Sequence, residues 1–356
     1  MDKNIIKLLT ILLIIIVTIC FISFSGKKTD KSKVSNDNIY NNNINNNNIN
    51  NINNIININN INNINSNTNN NTNNNINIVT SFYPIYIMTI NVTDGVNGVN
   101  VSNMSENLKG CIHDYTLSTD DLKKVEKADV FIETGENLEP FSNKIKTIYP
   151  NVKIIDSGKN VSNVIKEETD KDEKEKSDIK EDNREDNNEE INPHIWMDTA
   201  NYNEQVIEIA KQLGEIDLKN KDKYIENAEN YNKKIDEISN QFRTLNMNGV
   251  KAVSLDEQLE YLLKQNGMDV ISIETDHENS ALSADVVSKT IQKMKNDNIK
   301  AIFIDKDSDD KNAKMLANET GAKIYRLNSA MNGDNSYNSY IKDMEENYEI
   351  LKQVKE

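Results

Sequence analysis

The chain has 356 residues, with 41 Lys and Arg against 57 Asp and Glu and a formal charge of −16. That balance repels a phosphate backbone and excludes nucleic acid as a partner. Two cysteines, Cys20 and Cys111, exclude a disulfide scaffold, and three histidines, His113, His194 and His277, are few enough to weigh one at a time.

Residues 1–28 read as an N-terminal membrane anchor or signal segment. Positions 8–24 carry no charge, with Lys3 and Lys7 before them and Lys27, Lys28, Lys31 and Lys33 after. An apolar run of this size lies at the short end of the roughly 17 to 25 residues that cross a bilayer, so a cleaved signal peptide competes with an uncleaved anchor. No small-x-small cleavage site follows, which favours the anchor. Val17-Thr18-Ile19-Cys20 is a poor likeness of a lipoprotein motif because Ile19 is bulky, and lipidation of Cys20 is the alternative. A signal of either kind directs the remaining chain outside the cytoplasmic membrane. Residues 29–77 form a linker. Within it, 41–77 contain only Asn, Ile, Ser and Thr, with no helical or strand period, a composition expected to stay disordered. Asn70, Asn91, Asn100, Asn103 and Asn160 lie in Asn-x-Ser/Thr triplets compatible with surface glycosylation.

From residue 78 onward, apolar runs alternate with helical patterns, the signature of βα units and parallel sheet. A first lobe, 78–196, is expected to hold strands at 78–82, 99–104, 128–133 and 152–156. Pro84 can open a helix, and Ser118 with Asp121 resembles a capping box. Residues 166–190 contain 13 acidic and 6 basic side chains and almost nothing apolar, which marks an exposed insertion. Residues 197–248 form a linking helix. Tyr224, Ala228, Tyr231, Ile235, Ile238, Phe242 and Leu245 recur at steps of four and three, one apolar stripe about 32 Å long at about 1.5 Å per residue. A coiled-coil partner would also explain such a stripe, but consistent flanking charge pairs are lacking, which favours packing on the protein's own lobes. A second lobe, 249–356, repeats the alternation with strands at 251–255, 269–274, 301–305 and 323–327. Val286, Val287, Ile291 and Met294 give one of its helices a buried face, and Gly267 and Gly321 sit where helices turn back into strands. The expected fold class is α/β: two lobes, each a mostly parallel four-stranded sheet flanked by helices, joined by one long helix.

In open α/β sheets, ligands gather beyond the carboxyl ends of the strands. Asp256, His277 and Asn328 each follow a second-lobe strand. His113 lies in the loop Gly-Cys-Ile-His-Asp-Tyr, and His194 in Asn-Pro-His-Ile-Trp-Met-Asp, stiffened by Pro193. Each residue also has a plain reading. A loop histidine is commonly a solvated side chain, Asp256 would cap a helix, Asn328 would close a turn, and Cys111 would pack as a small residue. No C-x-x-C pair, P-loop, G-x-S-x-G elbow or H-E-x-x-H helix occurs.

The two histidine loops and the long helix together resemble the zinc and manganese solute-binding proteins of ABC importers, a family that includes surface adhesin lipoproteins. The resemblance covers nearly all of 78–356. It extends to Asn227-Ala228-Glu229-Asn230-Tyr231 in the linking helix and to Gly333-Asp334-Asn335-Ser336-Tyr337 near the C-terminus. It implies His113 and His194 as metal ligands. Counting back from Tyr261 and Gly267, the third ligand falls on Asp256, where zinc-type members carry His and manganese-type members Glu. The fourth, an Asp in the family, falls on Asn328, which raises His277 or Glu278 as a replacement donor. The acidic insertion stands where zinc-type members often hold a His-rich loop, and here it contains no histidine. The implied protein is a monomeric extracytoplasmic receptor without catalytic residues, attached by its N-terminal segment. It would capture Zn²⁺ or Mn²⁺ as transported ligand in the cleft between two lobes for delivery to an ABC permease in the membrane. A surface adhesion or scaffold protein with a degenerate metal site is the alternative. A zinc-dependent hydrolase is a third reading, for which no general base is evident.

Overall fold

The computed structural model describes residues 75–106, 108, 112–166, 191–273 and 282–355. The N-terminal segment with Cys20, the Asn-rich tract, Cys111, the body of the acidic insertion, His277 and Glu278 lie outside the described residues. Asn74–Glu356 form one compact unit.

Eight strands build two four-stranded sheets, every neighbouring pair parallel. The first sheet contains β1 (Ile76–Thr80), β2 (Val99–Asn103), β3 (Val130–Glu133) and β4 (Lys153–Asp156), in the order β2-β1-β3-β4. The second contains β5 (Lys251–Ser254), β6 (Asp269–Ser272), β7 (Ala301–Asp305) and β8 (Lys323–Leu327), in the equivalent order β6-β5-β7-β8. All eight expected strands are present. Runs of Val, Ile and Phe in them satisfy a sheet covered on both faces. Val253, Ile302 and Ile304 pack with Met294, Ala313 and Leu316, while the alternate residues Ala252, Ala301 and Phe303 join the larger core shared with the first sheet.

The helices are α1 (Tyr83–Val92), α2 (Thr119–Glu126), α3 (Ser142–Ile148), α4 (Thr199–Ile216), α5 (Lys221–Leu245), α6 (Glu260–Gln265), α7 (Ala284–Asn296), α8 (Lys311–Thr320) and α9 (Ser339–Lys355). Pro84 stands in the first turn of α1, and Ser118 with Asp121 forms the capping box that starts α2. Gly267 turns the chain after α6 with φ +86°, and a Cβ there would meet Asn248 Oδ1 at 2.3 Å. Among the described residues no helix is long and apolar enough to cross a membrane. Asn91 and Asn103 are buried, which closes those two triplets to glycosylation, while Asn100 and Asn160 are exposed.

The region expected as a single linking helix is a pair. Asp217 ends α4, and its carboxylate accepts from Asn220 Nδ2 at 2.7 Å and from the Tyr224 hydroxyl at 2.8 Å, which closes the turn into α5. Asn203 lies opposite Asn232 and Asp236, and Gly214 lies against Lys221, so the two helices run antiparallel. The seven stripe residues of α5 are all buried. The stripe therefore packs on the protein's own body, and no coiled-coil partner is needed to cover it.

Lys166 and Ile191 form an isolated antiparallel bridge, and the Asn192 N–H donates to the Ile165 carbonyl at 2.9 Å. The two ends of the acidic insertion thus meet. Replacing 167–190 by a short Gly-Ser turn should leave the melting temperature and the metal affinity nearly unchanged. Calorimetry on the shortened chain checks this, and a large fall in melting temperature would show that the segment joins the core.

Candidate metal centre

His113 and His194 come from two loops at the carboxyl edge of the first sheet. His113 sits in the 3-10 turn Ile112–Asp114, anchored by fully buried Ile112. His194 precedes the 3-10 turn Ile195–Met197, whose three side chains are all buried. Trp196 pins that turn. Its indole N–H donates to the Ser329 carbonyl at 3.0 Å, its ring meets Phe82 edge-on at 5.1 Å, and its carbonyl accepts from the Tyr340 hydroxyl at 2.9 Å.

The two imidazoles, though 81 positions apart in sequence (194 − 113), have ring centres 5.1 Å apart and inclined at 63°. Two imidazoles on one tetrahedral ion, with Zn–N bonds of about 2.0–2.1 Å, place their ring centres about 5 Å apart. The structure thus brings together the first two expected ligands. His194 is 2 % exposed, so protein donors rather than bulk water decide its orientation.

Among the described residues, an acidic side chain that stands beside His194 is Glu257, which the count from Tyr261 and Gly267 passed over. Its Oε1 stands 3.5 Å from His194 Nδ1. Its neighbour Asp256 turns the other way: Oδ2 accepts from the Asp305 N–H at 2.6 Å and Oδ1 from the Ser308 hydroxyl at 2.9 Å. Burial raises the Asp256 carboxyl above the ordinary range, against the lowering effect of those two donors. Adjacent residues diverge here because the 3-10 turn Glu257–Leu259 buries Leu259 and swings Glu257 toward His194.

Asn328, buried at the end of β8, follows its plain reading as a turn residue. Its Oδ1 accepts from the Ala330 N–H at 2.9 Å, and its Nδ2 donates to Asp343 Oδ1 at 2.7 Å and to Glu346 Oε2 at 3.4 Å. Burial pushes the Asp343 carboxyl up to about 6, so an additional anion at 328 would enter an already crowded acidic neighbourhood. Among the described residues, no three His, Cys, Asp or Glu side chains already stand as a complete metal cage. His277, the suggested substitute, lies outside the described residues.

The family described as "ZnuA: Zinc-uptake complex component A periplasmic" matches residues 78–354. The chain is 24 % identical over 231 residues to the manganese ABC transporter substrate-binding lipoprotein PsaA of Streptococcus mitis, covering 60 % of this chain and 67 % of that protein. It is 26 % identical over 251 residues to the high-affinity zinc uptake system protein ZnuA of Bacillus subtilis, covering 67 % and 76 %. A mutant of the laminin-binding adhesin Lmb of Streptococcus agalactiae has the same fold, with a TM-score of 0.65 at 23 % identity over 78 % of this chain and 98 % of that one. With a match that runs through both sheets and every described helix, leaving out only the first two residues of β1 and the last residue of α9, the chain belongs to the periplasmic zinc-uptake component A family.

Proposed function

We propose that this protein is an extracytoplasmic receptor that binds Zn²⁺ or Mn²⁺ between its two sheets and hands the ion to an ABC permease. The observation that carries the reading is the His113–His194 pair, with Glu257 of the second lobe standing beside His194. Two neutral imidazoles and one carboxylate leave a bound divalent cation with a net charge of about +1, and nitrogen donors favour a first-row transition ion or zinc over Mg²⁺ or Ca²⁺. The ion is cargo, so capture and release replace turnover. Hydrogen bonds between the lobes, from Tyr261 to the Asn192 carbonyl and from Trp196 to the Ser329 carbonyl, limit opening to a small tilt. The N-terminal segment would hold this monomeric receptor at the outer surface of the membrane, beside its permease. The alternative reading, an adhesion or scaffold protein with a degenerate site, draws on the engagement of Asp256 and Asn328 elsewhere. Titration of the full chain with Zn²⁺ and Mn²⁺ separates the two, because absence of binding leaves only the second.

Parallel substitutions at the two adjacent acids test which one serves the metal. Glu257→Ala should weaken Zn²⁺ binding at least tenfold with little change in melting temperature. Asp256→Ala should change affinity only a few-fold but destabilise the fold by about 1–3 kcal/mol, because the Asp305 N–H and the Ser308 hydroxyl lose their acceptor. The opposite pattern in calorimetric titration and thermal melting would return the ligand role to Asp256.

A further inference from the structure

Asn192, fully buried two residues before His194, is engaged on every side. Its Oδ1 accepts from the His194 backbone N–H at 3.0 Å and faces His194 Nδ1 at 3.0 Å. Its Nδ2 donates to Glu260 Oε2 at 3.2 Å and to the Glu257 carbonyl at 3.4 Å, and its own carbonyl accepts from the Tyr261 hydroxyl at 2.8 Å. The amide therefore has one orientation: a flip would set its NH₂ against the His194 N–H and its oxygen against two acceptors. An amide oxygen can only accept, so Nδ1 must carry the proton of the neutral ring. Glu257 Oε1, 3.5 Å from the same nitrogen, also accepts toward that proton in the metal-free protein, so it reaches an ion on Nε2 only by turning its side chain away from Nδ1. In this tautomer the lone pair is on Nε2.

We propose that Asn192 is a positioning residue for the metal site, holding His194 as its Nδ1–H tautomer so that Nε2 is the donor nitrogen, and tying that ring to the 257–261 turn of the second lobe. This role rests on His194 binding metal as proposed above. An unrestrained imidazole exchanges between two tautomers, and only one of them offers Nε2. Outer partners that fix a ligating histidine typically contribute ten- to a hundredfold in metal affinity. The amide also links the lobes: its oxygen serves the first-lobe histidine, while its nitrogen and carbonyl serve residues 257, 260 and 261.

The test is the two-bond ¹H–¹⁵N spectrum of the histidine rings in the full chain, labelled at histidine, metal-free and in mild detergent, with His194 assigned by its loss in His194→Gln. The wild type should show the Nδ1–H pattern. Asn192→Ala should mix the tautomers and weaken Zn²⁺ binding ten- to a hundredfold. Asn192→Asp combined with Glu260→Gln keeps the acceptor toward Nδ1 and reverses the donor pair behind it, so it should restore both the spectrum and the affinity to within a few-fold. An Nε2–H wild type, or an Asn192→Ala chain with unchanged tautomer and affinity, overturns the role of Asn192 while leaving the metal reading intact. An Nδ1–H wild type that takes up neither Zn²⁺ nor Mn²⁺ sinks the metal reading and this role with it.

Discussion

Replacing either His113 or His194 with alanine should weaken Zn²⁺ binding at least tenfold, and replacing both should reduce it below detection in a micromolar titration. Each substitution removes one nitrogen donor from a different loop, and the ring pair 5.1 Å apart has no duplicate among the described residues. A tenfold loss corresponds to about 1.4 kcal/mol, a lower bound for an inner-sphere nitrogen. Position 194 needs a control, because its ring also packs, tilted, at 5.2 Å from Trp196 and alanine there leaves a gap beside a fully buried indole. His194→Gln fills most of that volume, so equal losses in the alanine and glutamine variants would locate the effect in coordination. Protons compete with the cation for imidazole nitrogens, so binding should also decline as the solution is acidified below about pH 6. Unchanged titration curves in either single variant, or a flat profile between pH 5 and 7.5, would remove the histidines from the site.

The sequence made the strands legible because β-branched and aromatic runs such as Ala301–Asp305 have no competing helical period, and their burial on both faces bears this out. The α4–α5 hairpin was harder to see. Its turn depends on one carboxylate, Asp217, gathering Asn220 and Tyr224, and apolar periodicity does not register such a contact. Both histidine loops were legible through their motifs. The place of Glu257 beside His194 was not, since spacing from Tyr261 and Gly267 selects a position in the chain but not the direction in which a tight turn throws its side chains. What decides that direction is the burial of Leu259, a long-range packing fact. Asn192 left one visible signal, an amide wedged into an otherwise stiff loop beside Pro193, where burial without a partner would be costly.

Stability of the metal-free protein should fall as pH rises from 5 to 8, and Glu139 should account for much of the loss. Its carboxyl is buried in the loop after β3, where it accepts from the Ser81 hydroxyl at 2.7 Å, the Thr134 N–H at 2.8 Å and the Gly135 N–H at 3.3 Å. Burial pushes it from an ordinary 4.5 up to about 7, the charge of Glu133 adding to the rise, while the three donors only partly resist it. A carboxyl whose folded pKa exceeds its unfolded value binds more protons in the native state. Its stabilisation is therefore complete below the unfolded pKa and disappears as pH climbs through the folded one. A shift of that size is worth about 3 kcal/mol on the usual conversion of about 1.4 kcal/mol per unit. Asp156, raised by burial and by Glu133 and Glu136 to about 6, adds to the same trend but finishes titrating earlier. The two contributions separate by window: between pH 6.5 and 8 the slope belongs mainly to Glu139. Glu139→Gln, which imitates the protonated acid, should flatten that upper part and also lessen the slope between pH 5 and 6.5, where the remainder belongs to Asp156. Urea unfolding of the metal-free chain at half-unit pH steps reads this directly, and a wild-type stability that does not fall across pH 6.5 to 8, with Glu139→Gln giving the same profile, would mean that Glu139 is ionised in the native state at neutral pH.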